Sequence, residues 1–275
     1  MGVIPRIDVL GVGISDVDLG SAVAAIGTMV AESARTYVCV TGVHGVMESQ
    51  RDPGLAKIHN QSGLTTPDGM PMVWAGRFAG SKQIRRVYGP DLMLDVCKSG
   101  VGHGWRHFFY GGAGGVAQSL RRELEARFPG IEVAGTWTPP FRPLTSSERQ
   151  DVITSINATR PHIVWVGLST PKQERWMAEM RPELEAAVLI GVGAAFDMHT
   201  GRTRQAPRWM QRTGLEWLFR LILEPRRLWR RYLRNNPAFL WRILKRPPFI
   251  RPISTAAESI ASSRESFPQA IGDGS

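Results

Sequence analysis

The sequence predicts an α/β fold in which helices flank a mostly parallel sheet. Over the first two thirds of the 275 residues, short apolar segments with the composition of buried strands alternate with segments of helical periodicity. After Pro207 the pattern changes to helices alone. Strands that alternate with helices favour parallel pairing, which makes the sheet Rossmann-like. Ligands of such a sheet are expected at the carboxyl ends of its strands.

Five segments are predicted to be strands of this sheet. They are residues 36–43, 106–110, 131–136, 162–168 and 187–193. Helices are predicted between them, at residues 45–61, 91–100, 116–128 and from Ser146 or Ser147 onward. Pro207, Pro225 and Pro237 each suit the first turn of a helix.

The positive charge of the chain is concentrated near its C-terminus. The whole chain has 34 Lys and Arg against 24 Asp and Glu, for a net charge of +10. Residues 202–251 hold 14 of these basic residues, four of the nine tryptophans and two acids, Glu216 and Glu224. This composition predicts a polyanionic partner for the segment.

The helix predicted from Pro225 has two different faces. At 100° per residue its arginines fall on one arc and its large apolar residues on the opposite arc. The arginines are Arg226, Arg227, Arg230, Arg231 and Arg234, and the apolar residues are Leu228, Trp229, Tyr232 and Leu233. Such a helix is typical of proteins that bind an anionic membrane surface. We therefore divide the chain into an α/β domain (1–201), a basic membrane-associating helical appendage (202–251) and a disordered tail (252–275).

Cysteine usage and the N-terminus indicate a cytoplasmic protein. The two cysteines, Cys39 and Cys97, lie far apart and form no CxxC or Cys/His cluster, which fits a reducing compartment. No basic segment followed by an apolar stretch opens the chain, so no secretory signal is expected. The apolar run at residues 186–196 is too short to span a membrane.

Asp68 is the first candidate for a catalytic residue. It lies in TTPDGMP (residues 65–71), where a Pro-Asp-Gly turn exposes one carboxylate and Gly69 permits a close approach of another group. In a functional interpretation Asp68 is a general base that deprotonates an acceptor hydroxyl. In the alternative, which composition alone favours, Asp68 caps the backbone of its own turn.

Arg86 and Asp91 lie in the next motif, RVYGPD (residues 86–91). Arg86 ends a basic cluster before a turn, where its planar guanidinium could hold phosphate oxygens. Asp91, also a substrate-binding candidate, is placed to cap the helix that follows. A solvated basic loop and a capped helix explain the same residues.

A glycine-rich turn at residues 111–115 connects a strand to a helix. Such a turn is a natural phosphate cradle, with Gly112 as its candidate binding residue. It loosely matches the dinucleotide pattern GxGxxA, with Glu132 about where a ribose-binding acid is expected. The match suits a nucleotide sugar as well as a nicotinamide cofactor, and a tight strand–helix turn alone also produces it.

Two further loops carry polar residues at the same edge of the sheet. The loop at residues 169–174 opens a helix and brings Lys172, Gln173 and Glu174 to that edge, unless they are only its exposed polar residues. Asp197 is a second candidate carboxylate there, or an anchor for its own loop.

No metal or other cofactor is expected. His44 and His199 lie near the predicted site, but neither has the spacing of a metal ligand pair. No DxD signature accompanies a nucleotide loop, so the substrates alone are expected to take part in the chemistry.

In this order, the motifs resemble those of the WecG/TagA/CpsF family, glycosyltransferase family 26. The most specific pieces are PDGMP, RVYGPDLM, PKQERWM, VGAAFD and APRWMQRTGLEWLFRLILEPRRLWRRY, and the similarity runs from about residue 36 to residue 239. Where many members have Thr-x-Asn after the first strand, this chain reads Val40-Thr41-Gly42, so the expected asparagine contact is missing. Thr41 or His44 is the expected substitute.

The resemblance implies an inverting, metal-independent transfer from a UDP-sugar to a sugar on undecaprenyl diphosphate, in teichoic-acid, common-antigen or exopolysaccharide synthesis. It implies Asp68 as the general base, Arg86 as a diphosphate or acceptor contact and Gln173 as a donor contact. It further implies that the C-terminal arginines bind the inner face of the cell membrane or close over the donor diphosphate. These are Arg220, Arg226, Arg227, Arg230 and Arg231.

Three alternatives remain open at this point. A basic, aromatic segment also occurs in nucleic-acid-binding proteins, although its wide apolar face favours a membrane or a protein groove. The glycine turn alone would fit an NAD-dependent dehydrogenase. Residues 202–251 could also be part of the globular fold. Homo-oligomerisation stays open as well.

Overall fold

The computed structural model describes residues 4–252, so all but the first residue of the predicted tail lies outside the described part. The strands are β1 (Arg6–Val9), β2 (Val12–Ser15), β3 (Thr36–Thr41), β4 (Leu64–Pro67), β5 (Arg106–Gly111), β6 (Glu132–Trp137), β7 (Ile163–Gly167), β8 (Val188–Gly191) and β9 (Phe249–Ile250). The helices are α1 (Leu19–Ala31), α2 (Val43–Ser49), α3 (Pro53–Gln61), α4 (Met70–Phe78), α5 (Gly89–His103), α6 (Val116–Arg127), α7 (Ser146–Ala158), α8 (Lys172–Met180), α9 (Ala195–His199), α10 (Arg208–Arg212), α11 (Glu216–Leu223) and α12 (Pro225–Lys245).

A six-stranded parallel sheet forms the centre of the molecule, which confirms the predicted α/β fold. The strand order is β4-β3-β8-β7-β5-β6. Five of the six strands coincide with predicted segments, whereas β4 was not predicted. Because the strands all run in one direction, the loops that follow them meet at one edge.

Alternate strand residues pack against helices on the two faces of this sheet. On one face Val38, Phe109 and Trp165 belong to a buried cluster with residues of α1, α5 and α6. On the other face Cys39 and Tyr110 pack with residues of α7 and α8. Each fully buried large apolar side chain contributes about 1.5–3 kcal/mol, so both faces hold the loop-bearing edge in place.

The prediction of one continuous helix at residues 45–61 is wrong. Two helices, α2 and α3, occupy this stretch. The break falls at Asp52 and Pro53. Asp52 has an extended backbone and its carboxylate accepts a hydrogen bond from the Gly54 N–H at 2.9 Å, while Pro53 occupies the first turn of α3. Asp52 therefore caps a new helix instead of continuing the first one.

The C-terminal helices correct two expectations. Pro237 does not start a helix but lies inside α12, whereas Pro207 directly precedes α10 and Pro225 begins α12. The predicted apolar arc of α12 also does not share one environment: Leu228 is buried, but Leu233 is 69% exposed. The side chains that α12 does bury are polar as well as apolar, because the helix packs on α2.

The end of the C-terminal segment returns to the N-terminal hairpin. β9 pairs antiparallel with β1, which completes a small sheet of order β2-β1-β9. Arg251 donates to Asp8 Oδ2 at 3.0 Å and to the Gly11 carbonyl at 2.9 Å. Residues 202–251 are thus tied to the α/β part at both α12 and β9. The predicted domain boundary at residue 201 marks the change to helices, and the proposed membrane role of the segment stays a prediction.

Candidate active site

A cavity of about 1070 Å³ lies at the carboxyl edge of the parallel sheet. Its floor consists of the loops that follow β3, β4, β7 and β8, and its opposite wall consists of α11 and α12. This volume is at the upper end of the usual range for small-molecule sites, about 300–1,000 Å³. Of the predicted site residues, eight line it: His44, Asp68, Arg86, Gln173, Asp197, Arg220, Arg227 and Arg231.

Asp68 is fixed at the end of β4 by its neighbours on β3. Its N–H donates to the Thr41 carbonyl at 2.9 Å. A Cβ atom at Gly42 would lie 2.7 Å from the Asp68 carbonyl oxygen, so the two backbones approach each other closely only because residue 42 is glycine. The missing asparagine of the family pattern therefore coincides with a tight contact that positions Asp68.

The Asp68 side chain faces the cavity and does not cap a helix. Helix α4 begins after Gly69, whose φ of 87° is the left-handed conformation that glycine tolerates, and no side chain caps it. The carboxylate is 34% exposed, and its nearest charged partner is Arg86, at 3.9 Å. The alternative in which Asp68 caps its own turn is thus wrong.

The environment of Asp68 suits proton transfer near neutral pH. Burial raises the pKa of its carboxyl to about 6, Arg86 opposes this shift, and the nearby Glu216 carboxylate adds to it. A carboxylate with this pKa is mostly ionised at pH 7 and is a stronger base than an ordinary aspartate.

Arg86 contacts three other side chains that line the cavity. Its guanidinium donates to Gln211 Oε1 at 3.0 Å, forms an ion pair with Glu216 and lies 4.1 Å from the centroid of the Tyr88 ring. Gln211 and Glu216 belong to α10 and α11 and were not predicted as site residues. The one available signal was that Glu216 is one of two acids in a strongly basic segment.

His44 connects the cavity to α12. Its Nδ1 lies 3.2 Å from Nδ2 of Asn235. The Oδ1 atom of the same Asn235 accepts a hydrogen bond from Arg51 at 2.7 Å. Burial lowers the pKa of His44, and Arg231 lowers it further. A neutral His44 at pH 7 can exchange hydrogen bonds with a ligand, and Asn235 is a further residue that the sequence did not reveal.

Gln173 lines the cavity, but its amide is engaged by the protein. Its Oε1 accepts from the Gly193 N–H at 2.9 Å, and its Nε2 donates to Glu174 Oε1 at 3.0 Å. The same Glu174 oxygen accepts from Thr170 Oγ1 at 2.8 Å. Gln173 therefore joins the loops after β7 and β8, and the fully buried Glu174 holds it there.

Three arginines of the cavity each have one guanidinium nitrogen without an acceptor. Arg86, Arg220 and Arg231 each have a buried Nε atom without a hydrogen-bond partner among the described residues. Buried donors are almost always paired in folded proteins. The guanidinium groups of the same three arginines line one cavity, and such a concentration of positive charge is typical of a site for an anion.

Seven predicted site residues do not line this cavity: Thr41, Asp91, Gly112, Lys172, Glu174, Arg226 and Arg230. Asp91 does not cap α5 but forms an ion pair with Arg208, at 2.8 Å, beside a smaller neighbouring pocket. Gly112 donates to the Gly167 carbonyl at 3.1 Å, and a Cβ there would meet Val116 at 2.8 Å, so the glycine turn serves strand–helix packing.

The far end of the cavity is apolar. Trp74 and Phe78 of α4 line it on one side, and Leu240 and Leu244 of α12 line it on the other. These four side chains are 52–78% exposed, which is unusual for large apolar groups grouped together. The cavity therefore combines a charged part, which holds Asp68 and the arginines, with a group of exposed apolar side chains.

Comparison with known proteins identifies the chain. The model of the "Glycosyl transferase WecG/TagA/CpsF family" matches residues 7–251. The chain belongs to this glycosyl transferase family. The resemblance seen in the motifs is thus confirmed, and the protein is a glycosyltransferase.

Two relatives carry the same descriptive name, N-acetylglucosaminyldiphosphoundecaprenol N-acetyl-beta-D-mannosaminyltransferase. The one from Bacillus spizizenii is 30% identical over 198 residues, which cover 72% of this chain and 74% of the relative. The one from Staphylococcus aureus is 24% identical over 242 residues, which cover 87% of this chain and 92% of the relative.

Neither a cluster of metal-ligating side chains nor a membrane-spanning helix occurs among the described residues. Residues 4–252 contain no group of three or more His, Cys, Asp or Glu side chains that could hold a metal ion. The expected absence of a metal requirement stays a prediction. Within the same residues, none of the helices combines the length and the apolar character needed to cross a bilayer.

The contact at Gly42 leads to a testable prediction. Gly42→Ala should lower kcat about 10- to 100-fold, because its methyl group displaces the Asp68 backbone and a shift of about 1 Å at a reacting group has effects of this size. Initial rates and circular dichroism measure the effect. Gly102→Ala, where the added methyl meets nothing within 4 Å, is the matched control. A Gly42→Ala enzyme with the wild-type kcat would show that this contact does not position Asp68.

Proposed function

We propose that this glycosyltransferase moves a sugar from a UDP-sugar to the sugar of an undecaprenyl-diphosphate-linked acceptor, with inversion and without a metal, in bacterial cell-surface polysaccharide synthesis. One observation carries the proposal: the carboxylate of Asp68, three arginines with unpaired donors and an apolar exit share a single cavity. The names of the two relatives also specify an acceptor with a diphosphoundecaprenol group.

Asp68 supplies the base of the proposed reaction. The acceptor hydroxyl gives its proton to the Asp68 carboxylate while its oxygen bonds to the anomeric carbon of the donor sugar. The bond between that carbon and the diphosphate oxygen breaks, and its electron pair leaves with UDP. Attack on the face opposite the leaving group inverts the anomeric configuration, and Asp68 then releases the proton to water.

The cavity arginines stabilise the departing UDP. Negative charge grows on the diphosphate as the bond breaks, and positioned guanidinium donors lower the energy of that state. Arg220 and Arg231 project from α11 and α12 into the same cavity as Asp68. In this scheme they take the part that a divalent cation has in metal-dependent glycosyl transfer.

The apolar end of the cavity suits a prenyl chain. An acceptor whose diphosphate contacts the arginines would extend its lipid between α4 and α12, past Trp74, Phe78, Leu240 and Leu244. Burial of apolar surface contributes about 25 cal/mol per Å². A groove of this kind therefore binds a lipid-linked acceptor more tightly than a free sugar.

The outer face of the C-terminal helices suits a membrane surface, which would place the enzyme peripherally on the inner face of the cell membrane. Trp229, Leu233 and Trp241 are 47%, 69% and 60% exposed. Arg230 lies 5.2 Å from the Trp229 ring centroid and Lys245 lies 4.5 Å from that of Trp241. Aromatic rings beside basic groups are typical of helices that lie in the lipid headgroup region.

This membrane contact predicts an effect of two outward substitutions. Leu233→Gln with Trp241→Gln should weaken binding to anionic vesicles at least about tenfold, because each lost apolar group is expected to remove about 1.5–3 kcal/mol of burial. Vesicle flotation measures the partition. Phe141→Gln, which removes an apolar residue that is 92% exposed on the loop after β6, is the control. Equal partitioning of all three proteins would contradict the membrane contact.

The direct test of the proposed function is a panel of UDP-sugars with an undecaprenyl-diphosphate-linked GlcNAc acceptor. We expect UDP release with at least one donor, a product of inverted anomeric configuration by NMR, and turnover that survives EDTA. UDP release that does not increase when the acceptor is added would overturn the proposal. A product that retains the anomeric configuration of the donor would also overturn it.

The two other candidate functions have less support. The glycine turn that suggested a nicotinamide cofactor packs on β7 and does not line the cavity. A nucleic-acid role rests on the basic charge alone, whereas three cavity arginines point inward. A comparison of vesicle and DNA binding at matched salt separates the membrane and nucleic-acid interpretations.

A further inference from the structure

Glu216 is an acidic residue that lies among the arginines of the cavity. It begins α11, and its carboxylate forms an ion pair with Arg86 inside the cavity. The side chain is 16% exposed, so it is not a freely moving surface group. An acid here opposes the positive potential that the arginines provide.

The donors that Glu216 uses are the ones a diphosphate would use. A carboxylate and a phosphate both accept hydrogen bonds from a guanidinium, with similar geometry. Arg86 binds the Glu216 carboxylate and keeps an unpaired Nε, and Arg220, one turn along α11, keeps another. The Glu216 carboxylate therefore occupies a donor of Arg86 that an anionic ligand of the cavity would also use.

The contact also affects the general base. Arg86 lies 3.9 Å from Asp68 and is directly paired with Glu216. With Glu216 in place, Arg86 does not pair tightly with Asp68, and the Asp68 carboxylate stays available for an acceptor hydroxyl. A permanent Arg86–Asp68 pair would instead make Asp68 a weaker base.

We propose that Glu216 holds the diphosphate position on Arg86 while the cavity is empty, and that a bound diphosphate displaces it. This inference rests on the proposed function, since it assigns the anion site of that cavity. The diphosphate can come from the nucleotide donor or from the prenyl acceptor. The alternative role for Glu216 is a permanent link between α11 and the α/β part.

Diphosphate affinity separates the two roles. In Glu216→Gln the competing carboxylate is gone, so the Kd for the diphosphate that uses Arg86 should fall roughly tenfold, or about 1.4 kcal/mol. Isothermal titration with UDP and, separately, with farnesyl diphosphate shows which source gains affinity. A permanent structural link predicts the opposite, because damage to α11 weakens binding.

Glu224→Gln is the matched control. Glu224 is the other acid of residues 202–251, also lines the cavity and pairs with Arg227, so this variant adds the same charge without freeing Arg86. Glu216→Asp keeps the charge on a shorter side chain and should show a smaller gain in diphosphate affinity. It replaces Glu216→Gln in the titrations if the glutamine variant does not fold.

The outcomes are distinct. Tighter binding in Glu216→Gln and not in Glu224→Gln establishes displacement. Unchanged or weaker binding of both diphosphates, or an equal gain in both variants, overturns it while the proposed function stands. If neither wild type nor variant binds either diphosphate, the proposed function fails as well.

Discussion

Asp68→Asn is expected to lower kcat roughly 10²- to 10⁴-fold, the usual contribution of a positioned general base. Asparagine has nearly the same shape as aspartate but cannot take the proton of the acceptor hydroxyl. Binding of UDP should change little, because the nearest cation, Arg86, keeps its other partners Gln211 and Glu216. Initial rates of UDP release and titration with UDP measure the two effects.

The pH dependence of the rate gives an independent test of Asp68 as the general base. The pKa of Asp68 is about 6, so wild-type kcat/KM should fall about tenfold per pH unit below pH 6 as the base is protonated. The residual activity of Asp68→Asn should lack this acid limb. Asp197→Asn removes the other predicted carboxylate of the cavity and should keep the limb. If Asp197→Asn lost the limb and Asp68→Asn kept it, the roles of the two residues would be reversed.

Thermal stability distinguishes two causes of lost activity in Asp68→Asn, namely loss of the general base and misfolding. Burial raises the pKa of Asp68, so the folded protein holds this proton more tightly than the unfolded chain does. The resulting stabilisation is present below the ordinary aspartate pKa of about 4 and is lost as the pH rises through the folded value. Above pH 7 the ionised Asp68 carboxylate therefore lowers the stability of the folded protein relative to its stability at low pH. Asp68→Asn should melt at the wild-type temperature or higher, and a large fall in Tm would mean that lost activity reports misfolding.

The central sheet could be predicted because its pattern is local. Strands such as β7 and β8 are continuous apolar runs bounded by turns, and that signal does not depend on distant parts of the chain. Strand β4 escaped prediction because its four residues, LTTP, are short and end in the proline of the turn motif. The pairing of β1 with β9 joins the two ends of the described chain, and no local pattern carries such a contact.

The candidate site could be predicted in part by the same rule. Parallel strands bring their following loops together, which is why Asp68, Gln173 and Asp197 all reach one cavity. The rule does not give the direction of each side chain. Glu174, the neighbour of Gln173, is fully buried in place of facing the substrate.

The residues that the sequence did not reveal come mainly from the C-terminal segment. Gln211, Glu216 and Asn235 reach the site region only because α10 to α12 pack over it. The resemblance implied that arginines of this segment reach the donor, but it did not indicate which uncharged or acidic residues accompany them. Polar groups in the middle of a basic, aromatic segment were the available clue, because they weaken membrane binding unless they have another role.

Arg220→Ala with Arg231→Ala should lower kcat/KM by at least roughly 10²- to 10³-fold, since the loss of one positioned donor to developing charge has that effect. Both side chains line the cavity and both have an unpaired buried Nε in the described structure. The loss should exceed any loss of affinity for an intact UDP-sugar, because negative charge on the diphosphate grows as the sugar leaves. Steady-state rates compared with titration of a UDP-sugar in the absence of acceptor measure this difference.

Arg226→Ala with Arg230→Ala is the matched control, because it removes the same charge from exposed positions of α12 that do not line the cavity. This control should weaken binding to anionic vesicles by about 1 kcal/mol per arginine and leave turnover of a short, soluble acceptor near wild type. The cavity pair should show the opposite pattern, with vesicle binding kept and turnover lost. The C-terminal arginines would then have two separate tasks on two sides of the same helices, catalysis inside and membrane binding outside. Equal loss of turnover in both variants would mean that the net charge of the segment, and not the position of its arginines, supports the reaction.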